Sequence, residues 1–161
     1  MARSWNVKVE GLKEIDAALA QFPKATGRNV MRRVAVKRLE PMAEDARRRA
    51  PVLEQGGGDL RDSIAVSTKA AGYAKRINRG SKSEVEAYMG PGGVGGKKAP
   101  PQGTQQEFGN QNHGPQPFMR PAWDAGKHDL LGGIADDLWA EIDKAAKRAA
   151  RKAARLAAKG G

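Results

Sequence analysis

Residues 59–68 read Asp59-Leu60-Arg61-Asp62-Ser63-Ile64-Ala65-Val66-Ser67-Thr68. Leu60, Ile64 and Val66 share one parity, and Arg61, Ser63 and Ser67 share the other. That alternation predicts a strand over Leu60–Thr68 with one buried face and one wet face. The remaining long patterns in the chain are helical, so this stretch decides between an all-α and an α+β fold. A second, shorter strand is expected at 84–89, where Val85, Ala87 and Met89 alternate with Glu84, Glu86 and Tyr88. A third short alternation is Trp5-Asn6-Val7-Lys8-Val9. The expected class is α+β, a small antiparallel sheet with helices packed on one face.

Toward the N-terminus, Leu12, Ile15, Leu19 and Phe22 fall in steps of three, four and three, the stripe of an amphipathic helix that Pro23 stops. A long helix follows over about 24–49. Met31, Ala35, Leu39, Met42, Ala46 and Ala50 fall within about 100° of arc on it, which predicts the buried face. Val30 and Val34 lie off that stripe and point to a second apolar contact. Pro41 either kinks this helix, by freeing the carbonyl of Lys37, or occupies a first helical turn. Ala50-Pro51 closes it.

Toward the C-terminus, residues 90–117 hold eight Gly and five Pro, which predicts a long loop that orders only against a partner. Residues 118–124 lead into the last helix. There Leu131, Ile134, Leu138, Ile142, Ala145, Ala149 and Leu156 keep one phase within about 80° of arc, but shrink from Leu and Ile to Ala after Ile142. The core contact should end near Ile142, beyond which a basic C-terminal helix protrudes or packs on another subunit. Gly132-Gly133 weakens its early turns by about 1 kcal/mol per Gly relative to Ala.

The chain has 161 residues, room for one domain, with no cysteine, so disulfides, thiolate metal sites and thiol catalysis are excluded. Its formal charge is +11. Seven of those charges are Lys144, Lys147, Arg148, Arg151, Lys152, Arg155 and Lys159, with no acid among them. The acids of the same helix, Asp129, Asp136, Asp137, Glu141 and Asp143, come first, an order that suits the helix dipole. The chain thus divides into residues 1–143 and a basic, Ala-rich helical extension, 144–161. The ridge has two functional readings, phosphate neutralisation on DNA or docking onto an acidic protein surface, beside the plain reading of a solvated helix end. The N-terminus has no apolar run of signal-peptide length and no segment approaches a membrane span, so a soluble protein made in the cytoplasm is expected.

No constellation points to catalysis. Gly92-Gly93-Val94-Gly95-Gly96-Lys97-Lys98 lacks the first Gly of a phosphate loop, has Lys98 in place of the magnesium-binding hydroxyl, and runs into Pro100-Pro101. His113 and His128 lack metal-ligand companions. Glu84 and Glu86, two apart on a wet face, read as solubilising. The expectation is no enzyme, no cofactor and no metal.

Five motifs in order resemble a known family. They are Gly11-Leu12-Lys13-Glu14-Ile15, Arg49-Ala50-Pro51-Val52, Gly58-Asp59-Leu60-Arg61-Asp62-Ser63-Ile64, Glu107-Phe108-Gly109, and Pro117-Phe118-Met119-Arg120-Pro121-Ala122-Trp123-Asp124. Together they resemble the tail-component family of long-tailed bacteriophages typified by the neck protein of phage Hong Kong 97, over about residues 7–143. The resemblance implies a virion structural protein without catalysis. Such a subunit is a tail-completion or head–tail joining protein, assembled in the host cytoplasm as a sixfold ring of its own copies. The ring sits between head-closure (stopper) proteins and the tail terminator or tail tube, and its bore admits DNA. Pro51, Val52, Leu60, Arg61, Ser63, Ile64, Glu107, Phe108, Gly109, Phe118, Arg120 and Pro121 then become interface or structural-motif residues. From the residues themselves, Arg120 beside Phe118 and Pro121 reads as an anchor against the Glu107 segment, or as an internal clasp that merely pins the loop's two ends. The chain departs from the family at the longer turn 53–58, and at Gly103-Thr104-Gln105-Gln106, where an aromatic-rich strand would stand. The alternative, from another class, is a basic DNA-binding or DNA-packaging accessory protein.

Overall fold

A computed structural model describes residues 12–52, 59–70, 85–92, 94–96, 98, 100 and 102–158. The alternation at 5–9, Glu84, the turn 53–58 and Lys159 lie outside the described residues. The elements are α1 (Leu12–Ala20), α2 (Lys24–Arg49), α3 (Asp59–Ser63), β1 (Ile64–Ser67), β2 (Tyr88–Pro91), α4 (Gln102–Phe108) and α5 (Met119–Ala157). The class is α+β, with helices packed on a two-stranded antiparallel sheet. β1 and β2 pair Ile64 with Pro91 and Ser67 with Tyr88.

The helix boundaries follow from local chemistry. Pro23 precedes α2, and Ala50 ends it in an extended conformation, which the following Pro51 favours. Pro41 sits inside α2, which runs unbroken through it. The core forms two clusters along this helix. Ala43, Ala46 and Ala50 pack with Leu60, Ile64, Phe118 and Ala122. Val30 and Val34 pack with Ile15, Leu138, Ile142 and Ala145. The late half of α2 therefore meets the beginning of α5, and its early half meets the region around Ile142, an antiparallel pair.

Several expectations need correction. Leu60–Ser63 is the end of a short helix rather than the start of a strand, and Ser63, placed on the wet face, is buried. The second strand begins at Tyr88, not at Glu84. The described residues of 90–117 order on their own chain: Gly90 and Pro91 belong to β2, Val94 bridges Ala70, and Gln102–Phe108 is helical. The off-stripe Val30 and Val34 are among the most deeply buried residues, while Met31 and Ala35 are only partly buried. Their contact is internal, supplied by α1 and α5. On α5 the predicted stripe is buried only at Leu138, Ile142 and Ala145. Earlier in that helix the buried residue is Ala122, on another face, because α5 crosses α2 and turns as it goes.

Two glycines make this crossing possible. A Cβ at Gly126 would lie 2.4 Å from Met42 Cγ, and one at Gly133 would lie 1.9 Å from an Arg38 guanidinium nitrogen. Gly133 therefore clears the path by which Arg38 reaches Asp137 across the helix pair.

Candidate functional site

The first candidate region is a clasp between α4 and α5. The first four amides of a helix have no intrahelical acceptor. In α5 these belong to Phe118, Met119, Arg120 and Pro121, and Phe118, the residue at the cap position, makes no side-chain cap. Glu107 supplies the missing acceptor from α4. Its Oε2 accepts the Phe118 and Met119 amides at 2.8 and 2.9 Å, and its Oε1 accepts the Arg120 amide at 3.0 Å. The fourth position is Pro121, which has no amide to satisfy. Every orphan donor at this helix start is accounted for, and a carboxylate stands where the helix dipole favours one.

Arg120 locks the clasp from the other side. Its Nε donates to Glu107 Oε1 at 3.1 Å and its Nη2 to the Glu107 backbone carbonyl at 3.0 Å. The guanidinium lies 4.9 Å over the Phe108 ring, a cation–π contact. Gly109 completes the motif with φ +78°, and a Cβ there would stand 2.9 Å from Pro115 N. The intervening turn is tied by the Gln116 amide on Gln106 O at 2.7 Å, and by Asn110 Oδ1 accepting the amides of Asn112 and His113. His113 is held in this turn through Asn110 and Gly114 O. Burial pushes the Glu107 carboxyl up, but the Met119, Phe118 and Arg120 amides and the Arg120 side chain outweigh it and hold it below the ordinary carboxylate range.

The other motif residues surround the same core. Leu60, Ile64 and Phe118 are buried together, and Ser63 Oγ donates to Leu60 O at 2.7 Å. Arg61 is exposed and reaches Ala50 O at 3.4 Å. Pro51 is half-buried and Val52 exposed. Arg47, which no motif singled out, donates twice to Ile64 O, at 3.1 and 3.0 Å, and to Glu40 at 2.8 Å. The clasp leaves Phe108 and Trp123 largely exposed on one flank.

The α2–α5 seam carries a second set of charges. Asp137 accepts from Lys37 Nζ at 2.7 Å and from Arg38 Nε, while Glu141 accepts from Arg33 at 2.7 Å and Lys144 at 3.0 Å. Pairing with these bases holds both carboxyls below their ordinary range. Two of the acids that the dipole argument assigned to the early part of α5 are thus engaged with α2 instead. Complementary charges on two helices were visible in the sequence, but their register was not.

The second candidate region is the basic ridge. Among the described residues Ala145 is the last buried one, and every residue from 146 to 158 is exposed, Leu156 at 61% included. Lys144 pairs with Glu141 and Lys147 with Asp143. Among the described residues Arg148, Arg151, Lys152 and Arg155 form no ion pair. Lys144 and Arg148, Lys147 and Arg151, Arg148 and Lys152, and Arg151 and Arg155 are spaced i,i+4, so like charges face each other along three turns. Strong helix formers, chiefly Ala, keep the segment helical against that repulsion.

Among the described residues no three His, Asp or Glu gather as metal ligands, and no helix is long and apolar enough to cross a membrane. No family model, curated protein or solved structure matches the chain.

Proposed function

We propose that this chain is a structural protein of the neck of a long-tailed bacteriophage. It acts as a tail-completion or head–tail joining subunit that forms a ring between the head-closure proteins and the tail tube, and so resides in the virion. The observation that carries the reading is the clasp. Two of the five motifs on which the resemblance rests, Glu107-Phe108-Gly109 and Phe118-Met119-Arg120-Pro121, lie in one hydrogen-bonded unit. Such a unit fixes the start of α5 and presents Phe108, Arg120 and Trp123 on an exposed flank. Exposed aromatics beside an Arg are the side chains that most often anchor protein–protein contacts.

The internal burial of Val30 and Val34 removes one argument for a neighbouring subunit, so the ring rests on the motif resemblance and on this flank. The test is particle assembly. In phage lacking the protein, full heads and completed tails should accumulate unjoined, and purified protein should form rings by electron microscopy. A protein that stays monomeric at high concentration, together with particles that join heads to infectious tails without it, overturns the proposal.

A further inference from the structure

The geometry points to the exposed end of α5 as a sequence-independent binding element for double-stranded DNA, acting through the phosphates. The juxtaposition that carries this is a set of six bases, Lys144, Lys147, Arg148, Arg151, Lys152 and Arg155, on a helix that buries nothing after Ala145. The inference goes beyond the neck reading and holds equally for a ring or a monomer.

A solvated helix end does not account for the ridge. Bases stabilise a helix through its dipole only in the last turn, whereas here they run over three turns and repel one another at i,i+4. Four of them have no counter-ion among the described residues. A polyanion converts that repulsion into attraction and releases its own condensed counter-ions.

An acidic protein surface fits less well. Protein interfaces are anchored by buried aromatic, Met or Arg side chains set in apolar surroundings. Opposite the bases, the extension offers only Ala residues and Leu156. Single strands fit less well too, since no aromatic interleaves with the bases to stack on them. Duplex DNA requires only charge and shape. The bases cover about 140° of arc, with Lys147 and Lys152 at its margins, on an Ala-rich rod about 10 Å across. A major groove about 12 Å wide accepts such a rod and places phosphates on both sides of it, whereas the major groove of A-form RNA is too narrow. The ridge carries no Asn or Gln to read adenine and no acid to read cytosine, so beyond an Arg–guanine contact it has little with which to choose among base pairs.

The test is fluorescence anisotropy of the full chain with two 30-base-pair DNA duplexes of unrelated sequence, across salt from about 50 to 200 mM. The log–log slope for six bases should be about −5, a loss of roughly a thousandfold over that range, and equal for the two duplexes. The comparison protein is the full chain carrying Arg148→Gln, Arg151→Gln, Lys152→Gln and Arg155→Gln, substitutions that keep helix propensity and touch no core residue. Its slope should fall to about −2, with binding at 100 mM salt weakened at least thirtyfold, while circular dichroism stays unchanged. Polyglutamate and a duplex RNA of equal length serve as competitors. The proposal is overturned if the variant binds DNA as the parent does, if either competitor matches DNA, or if the parent shows no duplex binding at 100 mM salt. None of these outcomes depends on ring formation, which size-exclusion chromatography of the same samples reports separately.

Discussion

The clasp and the ridge both rest on α5, and they use charge in opposite ways. At the start of the helix Glu107 accepts three amides and a guanidinium, all from its own chain. At the far end Arg148, Arg151, Lys152 and Arg155 project from a segment with no buried residue. One set of charges determines where a helix begins and the other contributes nothing to the packing of this chain. Charge consumed internally acts on folding; charge left on an exposed segment does little for folding and stays available to partners.

Removing the clasp should therefore produce the largest change in stability. Glu107→Ala leaves the Phe118, Met119 and Arg120 amides without their acceptor and removes the Arg120 Nε partner, while the Arg120 Nη2 bond to the residue-107 carbonyl remains. The loss should be about 3 kcal/mol, or a fall in Tm of roughly 6–12 °C for a chain of this size. Glu107→Gln keeps one acceptor oxygen and should lose about half as much, and it gives the pH signature. Because the folded carboxyl is held below its ordinary 4.5, its contribution is fully present above that pH and is lost as pH falls through the lower folded value. The stability difference between the parent and Glu107→Gln should shrink as pH drops below about 4.5. Asp45, Asp137 and Glu141 are likewise held low but titrate in both proteins, so the difference curve isolates Glu107. A difference that stays constant between pH 7 and pH 3 would show that the clasp is not held by its charge.

The Arg120–Glu107 contact was legible in the sequence, whereas the helical form of the segments around it was not, for reasons of period and distance. Leu60 and Ile64 are four apart, a spacing that serves a strand face and a helix face equally well, so the alternation at 60–66 could not separate the two. α4 carries no apolar stripe at all; its buried residues are Gly103 and Glu107, and hydrogen bonds to α5 hold it in place. Pro121 was the available signal. A Pro in the first helical turn after a residue that cannot cap, Phe118, implies that an acceptor must come from elsewhere. The boundaries of α2 were legible because Pro23 and Pro51 act locally. So was the end of burial on α5, where Ile142 and Ala145 give way to exposed Ala and Leu156. The pairing of Arg33, Lys37 and Arg38 with acids about a hundred residues away was not, since it depends on how two helices cross.

A smaller effect is expected midway between the two regions. Gly126→Ala gains helix propensity of about 1 kcal/mol but puts a methyl 2.4 Å from Met42 Cγ. Overpacking of about 1–3 kcal/mol should outweigh the gain. Gly132→Ala is the control, because nothing lies within 4 Å of its would-be Cβ, and it should stabilise by up to about 1 kcal/mol. Opposite signs in thermal melts of the two variants confirm that the seam, and not backbone propensity, governs this stretch. If both stabilise, α2 and α5 are farther apart than their packing here implies.

The smallest effect should come from the region with the most charge. Deleting residues 146–161 removes five bases of the described ridge together with Lys159, yet keeps Ala145 in the core and Lys144 on Glu141. No buried residue is lost among the described ones, and surface changes of this kind stay within about 0.5 kcal/mol, so Tm should move by no more than roughly 2 °C. Relief of like-charge repulsion and loss of the helix end pull in opposite directions, which keeps the net change small. The informative measurement is the melt at two protein concentrations tenfold apart. A drop of several degrees that grows with concentration would mean that the extension packs on another copy of the chain, and the ridge would then belong, like the clasp, to the part of the molecule that consumes its own charge.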